Sequence, residues 1–424
     1  MDKRLAEVHN IIIIYRVDKS QIMRRIEVYS THYLRRIRGY STQMVSSLDK
    51  RCFYMKKYIH ESDKWLDMKC DERSLRDLLT AFYQAHGRLF GKLDVLGFNV
   101  QNELQLSAVS DEIVTSSEIE GEILNRSSVR SSVAQRLGLE CAGYLNVSAG
   151  HYIEGVIDIA LDATQNFSVP ITDDRLFGWH CALFPGGKSG LRHITVGAYR
   201  VSGMSIISGA AGNERVHYEA PGPERVSKEM KRFLEWLENE KSINPYVKAG
   251  IAHFWFEAIH PFDDGNGRIG RAISDYLLSK AENNSKRYYS LSSQILKERQ
   301  VYYNELEFAE SYNGDLDRWI HWFLGCLTRA IEASEEKLEI SKQKAVIFDN
   351  IRHIAMNERQ LSMLNKLIEG FEGKLTTAKW AKINKCSHDT ALRDIEDLIN
   401  KGILTRSPEG GRSTSYKLTV AGFS

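Results

Sequence analysis

Apolar positions repeat at intervals of three and four residues over most of the chain, which is the spacing of one face of an α-helix. Residues 74–96 show this spacing clearly, with leucine, phenylalanine and alanine along one side. The same pattern predicts helices over residues 102–124 and 146–164, and helices joined by loops over residues 224–333. Only seven prolines occur in 424 residues, so long helices are not interrupted.

Three segments depart from this pattern. Residues 186–223 are rich in Gly, Val, Ile, Ser and Tyr, and their alternation predicts a short β-hairpin. Residues 334–345, SEEKLEISKQKA, are highly charged and predict a solvated helix or a linker. Residues 1–54 are arginine-rich and weakly periodic. We interpret them either as a separate basic extension or as residues upstream of a functional chain that begins near Met55.

Composition places the chain among globular proteins of two or three domains, since 42% of its 424 residues are hydrophobic. A formal net charge of +2 gives no general attraction to nucleic acids or membranes, so such binding would require a local patch. The six cysteines are far apart and form no C-x-x-C pair, which argues against a zinc ribbon or a disulfide framework. No apolar run approaches the ~20 residues of a membrane span. We therefore expect a cytoplasmic protein without membrane contact.

Residues 260–271, HPFDDGNGRIGR, concentrate charged, polar and glycine residues between two strongly apolar helical segments. Glycines and the free amides at the start of the second helix form a cradle for an anion. Arg268 and Arg271 emerge on one side of that helix start, where the helix dipole disfavours cations, which indicates a bound polyphosphate. Asp264 supplies an oxygen ligand of the kind Mg²⁺ prefers, and His260 suits proton transfer near neutral pH.

This segment resembles the HPFxDGNGRxxR signature of the Fic family at every defined position, and the resemblance extends over most of residues 55–335. It implies a mainly α fold: a Fic helical domain with a β-hairpin flap, an N-terminal helical region and a C-terminal winged helix-turn-helix. The corresponding domains begin with a basic N-terminal extension (residues 1–54) and a helical region with an inhibitory helix (55–145). The catalytic domain (146–335) follows, and then a linker with the winged helix (336–424).

The resemblance also implies an activity, the transfer of AMP from Mg-ATP to a Tyr, Thr or Ser hydroxyl of a protein. His260 would be the general base and Asp264 would hold Mg²⁺, while Phe262 would anchor the loop in the core. Gly265, Asn266 and Gly267 would form an anion hole around the α-phosphate. Arg268 would bind the β-phosphate, and Arg271 would bind the γ-phosphate. Such chemistry depends on positioning and charge neutralisation, so no covalent nucleophile is required.

A second short motif lies upstream in residues 115–124, TSSEIEGEIL. Ser116 and Glu120 are four residues apart, hence on one face of a helix, and Gly121 follows them. The pattern resembles the [S/T]xxxE[G/N] inhibitory motif of Fic proteins, which implies that Glu120 pairs with Arg271 and blocks the γ-phosphate. The alternative is an ordinary helix cap with acidic residues in its first turn. In some family members the same glutamate orients water for removal of AMP.

Two further regions correspond to family features. The hairpin around residues 199–216 corresponds to the flap, which holds a target segment by main-chain pairing. Tyr303 matches a tyrosine of the family's adenosine-side helix, but the asparagine expected shortly afterwards falls on Glu310, with Asn313 a little further on. An aromatic pair such as Tyr302 and Tyr303 is otherwise typical of a protein core.

The C-terminal residues from 359 resemble a winged helix-turn-helix, with helices to Gly370, over 377–383 and over 387–400, and a wing around 408–416. Such a third helix reads DNA, yet here a single arginine accompanies four acidic residues, which phosphates would repel. Backbone contacts would come from four basic residues, Lys382, Lys385, Arg406 and Arg412. Both DNA binding and protein docking stay open.

Three alternatives therefore accompany AMP transfer: removal of AMP at the same site, transfer of another phosphate-containing group, and a DNA-binding regulator whose Fic domain only senses nucleotide. The resemblance also implies a homodimer. The sequence does not identify the target protein.

Overall fold

The computed structural model describes residues 13–15, 57–66, 70–71, 73–139, 150–209, 214–312, 314–351, 353–368, 371, 373–407 and 414–419. These residues are mainly helical, as the sequence predicted. Of the N-terminal extension only strand β1 (Ile13–Tyr15) is described. The chain divides into two compact units, Met1–Phe90 with Gln105–Ile331, and Gly91–Leu104 with Glu332–Ser424.

Apolar periodicity predicted the segments of most helices, but two helices, Arg126–Arg136 and Asp173–Leu183, lie outside the predicted segments. Two short 3-10 helices, Ile59–Glu61 and Asp63–Leu66, precede the α-helices. The α-helices up to the signature are α1 (Arg76–Asp94), α2 (Phe98–Ile119), α3 (Arg126–Arg136), α4 (His151–Gln165), α5 (Asp173–Leu183), α6 (Pro223–Asn239) and α7 (Pro245–Ile259). After it come α8 (Asn266–Glu282), α9 (Leu291–Lys297), α10 (Arg299–Glu310) and α11 (Leu316–Ile351).

Helix α2 ends five residues earlier than the periodicity predicted, at Ile119. Gly121 has a φ of 86°, a left-handed conformation that glycine adopts without strain. The amide of Glu122 then donates to the carbonyl of Ser117 at 3.0 Å, and that of Gly121 to Glu118 at 3.0 Å. This pair of bonds is the Schellman arrangement that closes a helix C-terminus. Glu120 therefore lies on the closing turn and not within a helix.

The charged segment 334–345 is helical, and it continues α11 without a break. The predicted boundary at residue 336 thus falls inside one helix of 36 residues. The glutamates and lysines of this segment are good helix formers, so the segment extends the helix and is not a separate linker.

The predicted hairpin is present as β4 (Ser205–Ser208) and β5 (Arg215–Glu219), which pair antiparallel with an irregularity between Ile206 and Ile207. Residues 210–213 at its tip lie outside the described residues. Strand β1 pairs antiparallel with β4, so β4 is the middle strand of three. A smaller hairpin, β2 (Lys188–Ser189) with β3 (Arg192–His193), precedes it.

The core of the first unit is built on α7 and α8, which pack against each other along their lengths, and α8 also packs on α4 and α5. Nearly every residue of α7 is buried. His253 of α7 is buried completely and lies between Ser274 (2.9 Å) and the hydroxyl of Tyr302 (3.0 Å). This polar chain ties α7 to α8 and α10 inside an otherwise apolar core. Burial lowers the pKa of His253 to about 3, so the ring is neutral.

The second unit contains helices α12 (Glu358–Ile368), α13 (Thr377–Ile383) and α14 (His388–Asn400), followed by strands β6 (Leu404–Arg406) and β7 (Tyr416–Leu418). They share one apolar core around Trp380, Ile395 and Leu398. Ser387 caps α14 by accepting from the amide of Thr390 at 3.2 Å. The tip of the predicted wing, residues 408–413 with Arg412, lies outside the described residues.

Within the described ranges we find no helix that combines the length and the apolar character needed to cross a bilayer.

Candidate active site

The joint between α7 and α8 reverses the chain through two left-handed residues. His260 caps α7 with φ 50° and ψ 60°, and Gly265 precedes α8 with φ 83°. A Cβ atom at Gly265 would lie 2.9 Å from the ring of Phe184. Only glycine therefore fits this position, both for its backbone conformation and for its close packing. The sharp turn brings the imidazole of His260 next to the start of α8.

Hydrogen bonds from buried side chains hold this loop rigid. The Asn266 side chain accepts from the amide of Phe262 at 2.9 Å and donates to its carbonyl at 2.9 Å. The guanidinium of Arg200, which is 2% exposed, donates to the carbonyls of His260 (2.7 Å) and Pro221 (2.7 Å). Asn266 thus braces the loop with its side chain, so that its backbone amide is the group left to meet an anion.

Phe262 is completely buried, in the core position predicted for it, and stacks on His180 with ring centroids 4.3 Å apart. The Nδ1 atom of His180 accepts from the amide of Gly197 at 3.2 Å, so its Nε2–H donates to the carbonyl of Asp264 at 3.1 Å. Burial lowers the pKa of His180 to about 4 and keeps it in this neutral form. Phe262 and His180 together attach the loop to α5.

Replacing Phe262 by alanine should lower the free energy of unfolding by about 3–5 kcal/mol, because it leaves a cavity under the loop. Chemical denaturation followed by fluorescence measures the change. Phe98→Ala is the matched control, since that ring is 77% exposed. Equal effects of the two substitutions would contradict the anchoring role of Phe262.

His260 is poised to accept a proton. Its Nδ1 lies 3.2 Å from the carbonyl oxygen of Glu257, which can only accept, so Nδ1 carries the hydrogen. Its Nε2 has no hydrogen-bond partner among the described residues. Burial, aided by the nearby charge of Arg200, lowers the pKa of His260 to about 4. At neutral pH the ring is therefore uncharged, with a free lone pair on Nε2.

The first turn of α8 lies where the sequence predicts an anion cradle. The amides of Asn266, Gly267 and Arg268 lie in the turn whose N–H groups have no intrahelical partner, at the positive end of the helix dipole. Asp264 lies beside them, where its carboxylate accepts from the amide of Gly265 (2.6 Å) and from the hydroxyl of Ser189.

Both arginines of the signature are paired with carboxylates from the turn that follows α2. Arg271, whose side chain is 2% exposed, donates to Glu120 at 2.8 Å and to the hydroxyl of Ser116 at 2.9 Å. Arg268 donates to Glu122 at 3.0 Å and to the hydroxyl of Tyr152 at 2.5 Å. Glu120 also lies directly over the cradle, because a Cβ atom on Gly267 would be 2.2 Å from its carboxylate.

A cavity of about 320 Å³ opens at this point, within the size range of small-molecule sites. One wall is the signature loop with the start of α8, and the other walls are β4, β5 and one face of α10. Glu257 and Glu310 line it as buried carboxyl groups, and burial raises the pKa of Glu257 to about 8. Tyr303, from α10, completes the wall near Glu120.

The structure brings together the residues that the sequence singled out. Those that line the cavity are Glu120, His260, Asp264, Gly265, Asn266, Gly267 and Tyr303. Ser116, Arg268 and Arg271 lie behind them in the ion pairs described above, and Gly121 supplies the turn that positions Glu120.

Several residues of the site escaped the sequence analysis. Arg200, Ser189, Glu122, Tyr152 and Glu257 lie outside the matched positions of both motifs, and no local pattern distinguishes them from surface or core residues. Among these residues, Glu122 could have been suspected from the sequence, because it directly follows the predicted inhibitory motif.

Comparison with known proteins finds two family models and several similar structures. Residues 170–278 match the family model of the Fic/DOC family, and residues 58–139 match a domain of unknown function, DUF4172. A Fic family protein from Desulfovibrio desulfuricans G20 aligns over 84% of this chain and 99% of its own, with 23% identity and a TM-score of 0.48.

Curated relatives are similar over a limited part of the chain. A probable protein adenylyltransferase of Aquifex aeolicus is 32% identical over 136 residues, which is 28% of this chain and 40% of that protein. Protein adenylyltransferase Fic of Drosophila willistoni is 32% identical over 114 residues, which is 26% of this chain and 21% of that protein. The chain thus spans less than half the length of either relative. Residues 170–278, which match the Fic/DOC family model, end within α8 and include the signature loop.

Proposed function

We propose that this chain transfers AMP from ATP to a Tyr, Thr or Ser hydroxyl of a protein, releases pyrophosphate, and is held back by its own Glu120 and Glu122. One observation carries the proposal: the unpartnered Nε2 of a neutral His260 lies in the wall of a cavity that also contains the amide cradle of α8. The names of the curated relatives, which are protein adenylyltransferases, support the same reaction.

The reaction follows from the positions of these groups. The target hydroxyl attacks the α-phosphorus, its proton passes to Nε2 of His260, and the bond to the β-phosphate oxygen breaks as pyrophosphate leaves. The Nδ1–H bond to the carbonyl of Glu257 fixes the tautomer that can accept this proton. The amides of the first turn of α8 would stabilise the added charge on the α-phosphate oxygens.

The residues present also fit a magnesium ion. The carboxylate of Asp264 lines the cavity beside the cradle, and Mg²⁺ is commonly held by one or two carboxylates together with phosphate oxygens and water. In the described part of the chain, no group of three or more His, Cys, Asp or Glu side chains is arranged so that it could hold a metal ion by itself. Asp264 would therefore hold the ion jointly with the nucleotide, and the bound ion would neutralise charge on the triphosphate.

The arginines connect catalysis to inhibition. Arg271 would bind the γ-phosphate and Arg268 the β-phosphate, yet each is already paired with a carboxylate in this structure. A guanidinium that donates to a carboxylate must release it before it can bind a phosphate with the same N–H groups. ATP would then bind without its full set of charge contacts, and transfer would be slow.

Replacing Glu122 by glutamine should raise the transfer rate about fivefold. The glutamate is 42% exposed, so its pair with Arg268 is worth about 1 kcal/mol, which is a factor of about five. Initial rates at several ATP concentrations measure the change. Glu118→Gln is the matched control, because that side chain is exposed on the same helix end. A rate no different from that of the control would show that Arg268 is not inhibited through Glu122.

The proposed activity is tested by incubating the full chain with Mg²⁺ and ATP labelled either at the α-phosphate or at the γ-phosphate. AMP transfer labels protein from α-labelled ATP and not from γ-labelled ATP. Label from the γ-phosphate would indicate a kinase, and the absence of both labels, in the wild type and in Glu120→Gly alike, would refute the proposal. A chase with unlabelled ATP reveals removal of AMP as a loss of label.

For the second unit we propose DNA binding through a winged helix as a separate function. Two of the acidic residues of α14 are engaged within the unit: Asp394 accepts from Arg359 at 2.8 Å, and Asp397 accepts from Lys401 at 2.5 Å. Their charge is thus partly neutralised, which weakens the expected repulsion of phosphates. Mobility shift of duplex DNA by the full chain tests this proposal.

Size-exclusion chromatography with light scattering tests the predicted homodimer.

A further inference from the structure

Strand β1 lies on the edge of the hairpin that corresponds to the family's flap. Its residues pair antiparallel with β4, in the register Ile13 with Ile207, Ile14 with Ile206 and Tyr15 with Ser205. Strand β5 pairs with the opposite edge of β4. Within the described residues both edges of β4 are therefore occupied, and one of them is held by the N-terminal extension, for which no role follows from the sequence.

The hairpin is fixed on its β5 side and beside the signature loop. Arg215 and His217 of β5 bond to Glu307 of α10 at 2.6 Å and 2.9 Å. Shortly before β4 begins, the backbone amide of Arg200 donates to the carbonyl of Pro261 at 2.9 Å. The edge of β4 that faces away from β5 is then the edge at which another strand can add to the hairpin.

This edge belongs to a strand of the active-site wall. Ile206, the residue of β4 that pairs with Ile14, lines the cavity together with His260. A segment paired with β4 is held extended beside the cavity, which restricts the positions that its side chains can take relative to the imidazole. Each main-chain N–H and C=O group of the edge has one place in a ladder, so the edge pairs with one strand at a time. Strand β1 and a target strand therefore exclude each other.

The composition of the N-terminal segment favours this pairing. Residues 11–14 are four consecutive isoleucines, and Tyr15 follows them. Such β-branched and aromatic residues are enriched in strands. Because β1 belongs to the same chain as β4, the pairing is intramolecular, and a target segment must compete with a local concentration of β1 that does not fall on dilution.

We propose that β1 occupies, in cis, the main-chain edge of β4 that a target protein needs, and that a target gains access when an extended apolar segment of its own displaces β1. The inference rests on the proposed transfer of AMP to a protein. It concerns a different substrate from the inhibition by Glu120, because β1 competes with the protein and Glu120 with the nucleotide. Release of β1 should therefore lower the KM for the protein and leave kcat unchanged.

The first measurement uses no nucleotide, so that it stands apart from the proposed activity. A fluorescein-labelled peptide of residues 9–18 is titrated by anisotropy against three full-length chains: wild type, Ile13→Pro with Ile14→Pro, and Ile13→Val with Ile14→Val. The prolines remove main-chain donors from β1, whereas the valines keep its β-branched residues. We expect the proline chain to bind the peptide about tenfold more tightly than the other two, the effect of removing a competitor held by one or two main-chain hydrogen bonds.

A peptide that carries the same two prolines is the control and should not bind to any of the chains. Equal affinities of the three chains for the unmodified peptide overturn the inference. The absence of binding to a proline chain whose circular dichroism matches wild type overturns it as well, because an open edge should then be available to the peptide.

The second measurement follows transfer from α-labelled ATP to the soluble proteins of a cell extract, with every chain in the Glu120→Gly background. The proline chain should label them about tenfold faster than its parent at low protein concentration, and the unlabelled peptide should reverse this gain. Ile14→Cys with Ile206→Cys provides a lock, since directly opposed positions of an antiparallel pair lie within the reach of a disulfide. The oxidised chain should label the extract more slowly than the same chain after reduction.

The outcomes separate the inference from the proposed function. If the proline chain labels the extract no faster than its parent while automodification proceeds, competition by β1 is wrong and AMP transfer stands. If none of the chains labels any protein, the proposed function fails, and competition by β1 for a target fails with it.

Discussion

The His260→Ala chain is expected to transfer AMP about 10²- to 10⁴-fold more slowly than its parent, the usual contribution of a general base. The imidazole is the group that can take the proton of the target hydroxyl, since its Nε2 is unpartnered and its Nδ1 is fixed by the carbonyl of Glu257. Transfer should be measured with α-labelled ATP in a Glu120→Gly background, where the parent rate is high enough to resolve a large loss.

Two measurements separate loss of chemistry from loss of folding. ATP should bind the His260→Ala chain as tightly as its parent, so that kcat falls while KM changes little. His193→Ala is the control for removal of a histidine, because that side chain is exposed on β3. Retention of transfer within about threefold of the parent would remove His260 from the mechanism, since general bases contribute much larger factors.

Replacing Glu120 by glycine is expected to raise the rate of transfer about 10- to 100-fold. The carboxylate occupies Arg271 at 2.8 Å and lies over Gly267, so its removal frees a buried guanidinium and clears the cradle. Close charge pairs of this kind have coupling energies of about 1.5–7 kcal/mol, and the lower end already corresponds to a tenfold change. Initial rates of automodification and of modification of added protein measure the effect.

The control for the added glycine is Glu118→Gly, which has the same backbone change at an exposed position of α2. Glu120→Gln should fall between wild type and Glu120→Gly, because it removes the charge and keeps the side chain over the cradle. Equal rates for wild type and Glu120→Gly would contradict inhibition by this residue. Activation by Glu118→Gly to the same extent would assign the effect to helix flexibility.

The sequence predicted the fold class because amphipathic periodicity is a local property. Helices α1, α4 and the elements around the signature lie where the repeat of apolar residues placed them. The ends of helices were harder to predict from the sequence, as α2 shows. The apolar pattern continues past Ile119, but Gly121 adopts a left-handed conformation that ends the helix. A single glycine permits such an end, and packing around it decides whether the end forms there.

The signature also allowed the cradle to be predicted, since two glycines and a helix start are sufficient to orient free amides. The bracing contact made by the Asn266 side chain was not predicted from the sequence. The side chain bonds both main-chain groups of Phe262, which are four residues earlier in the chain. The sequence shows a polar residue beside an anion site, and only the folded loop decides which partner it takes.

The sequence by itself determined the mainly helical character of this protein, the turn that presents His260, and the pair of arginines near the start of α8. Those features depend on residues within one or two helical turns of each other. The tertiary structure decided which carboxylates occupy the arginines, the charge of the buried histidine, and the placement of Glu310 in the cavity wall. Each of these depends on burial and on contacts between residues distant in sequence, such as the 151 that separate Glu120 from Arg271. Local pattern carries no information about such contacts.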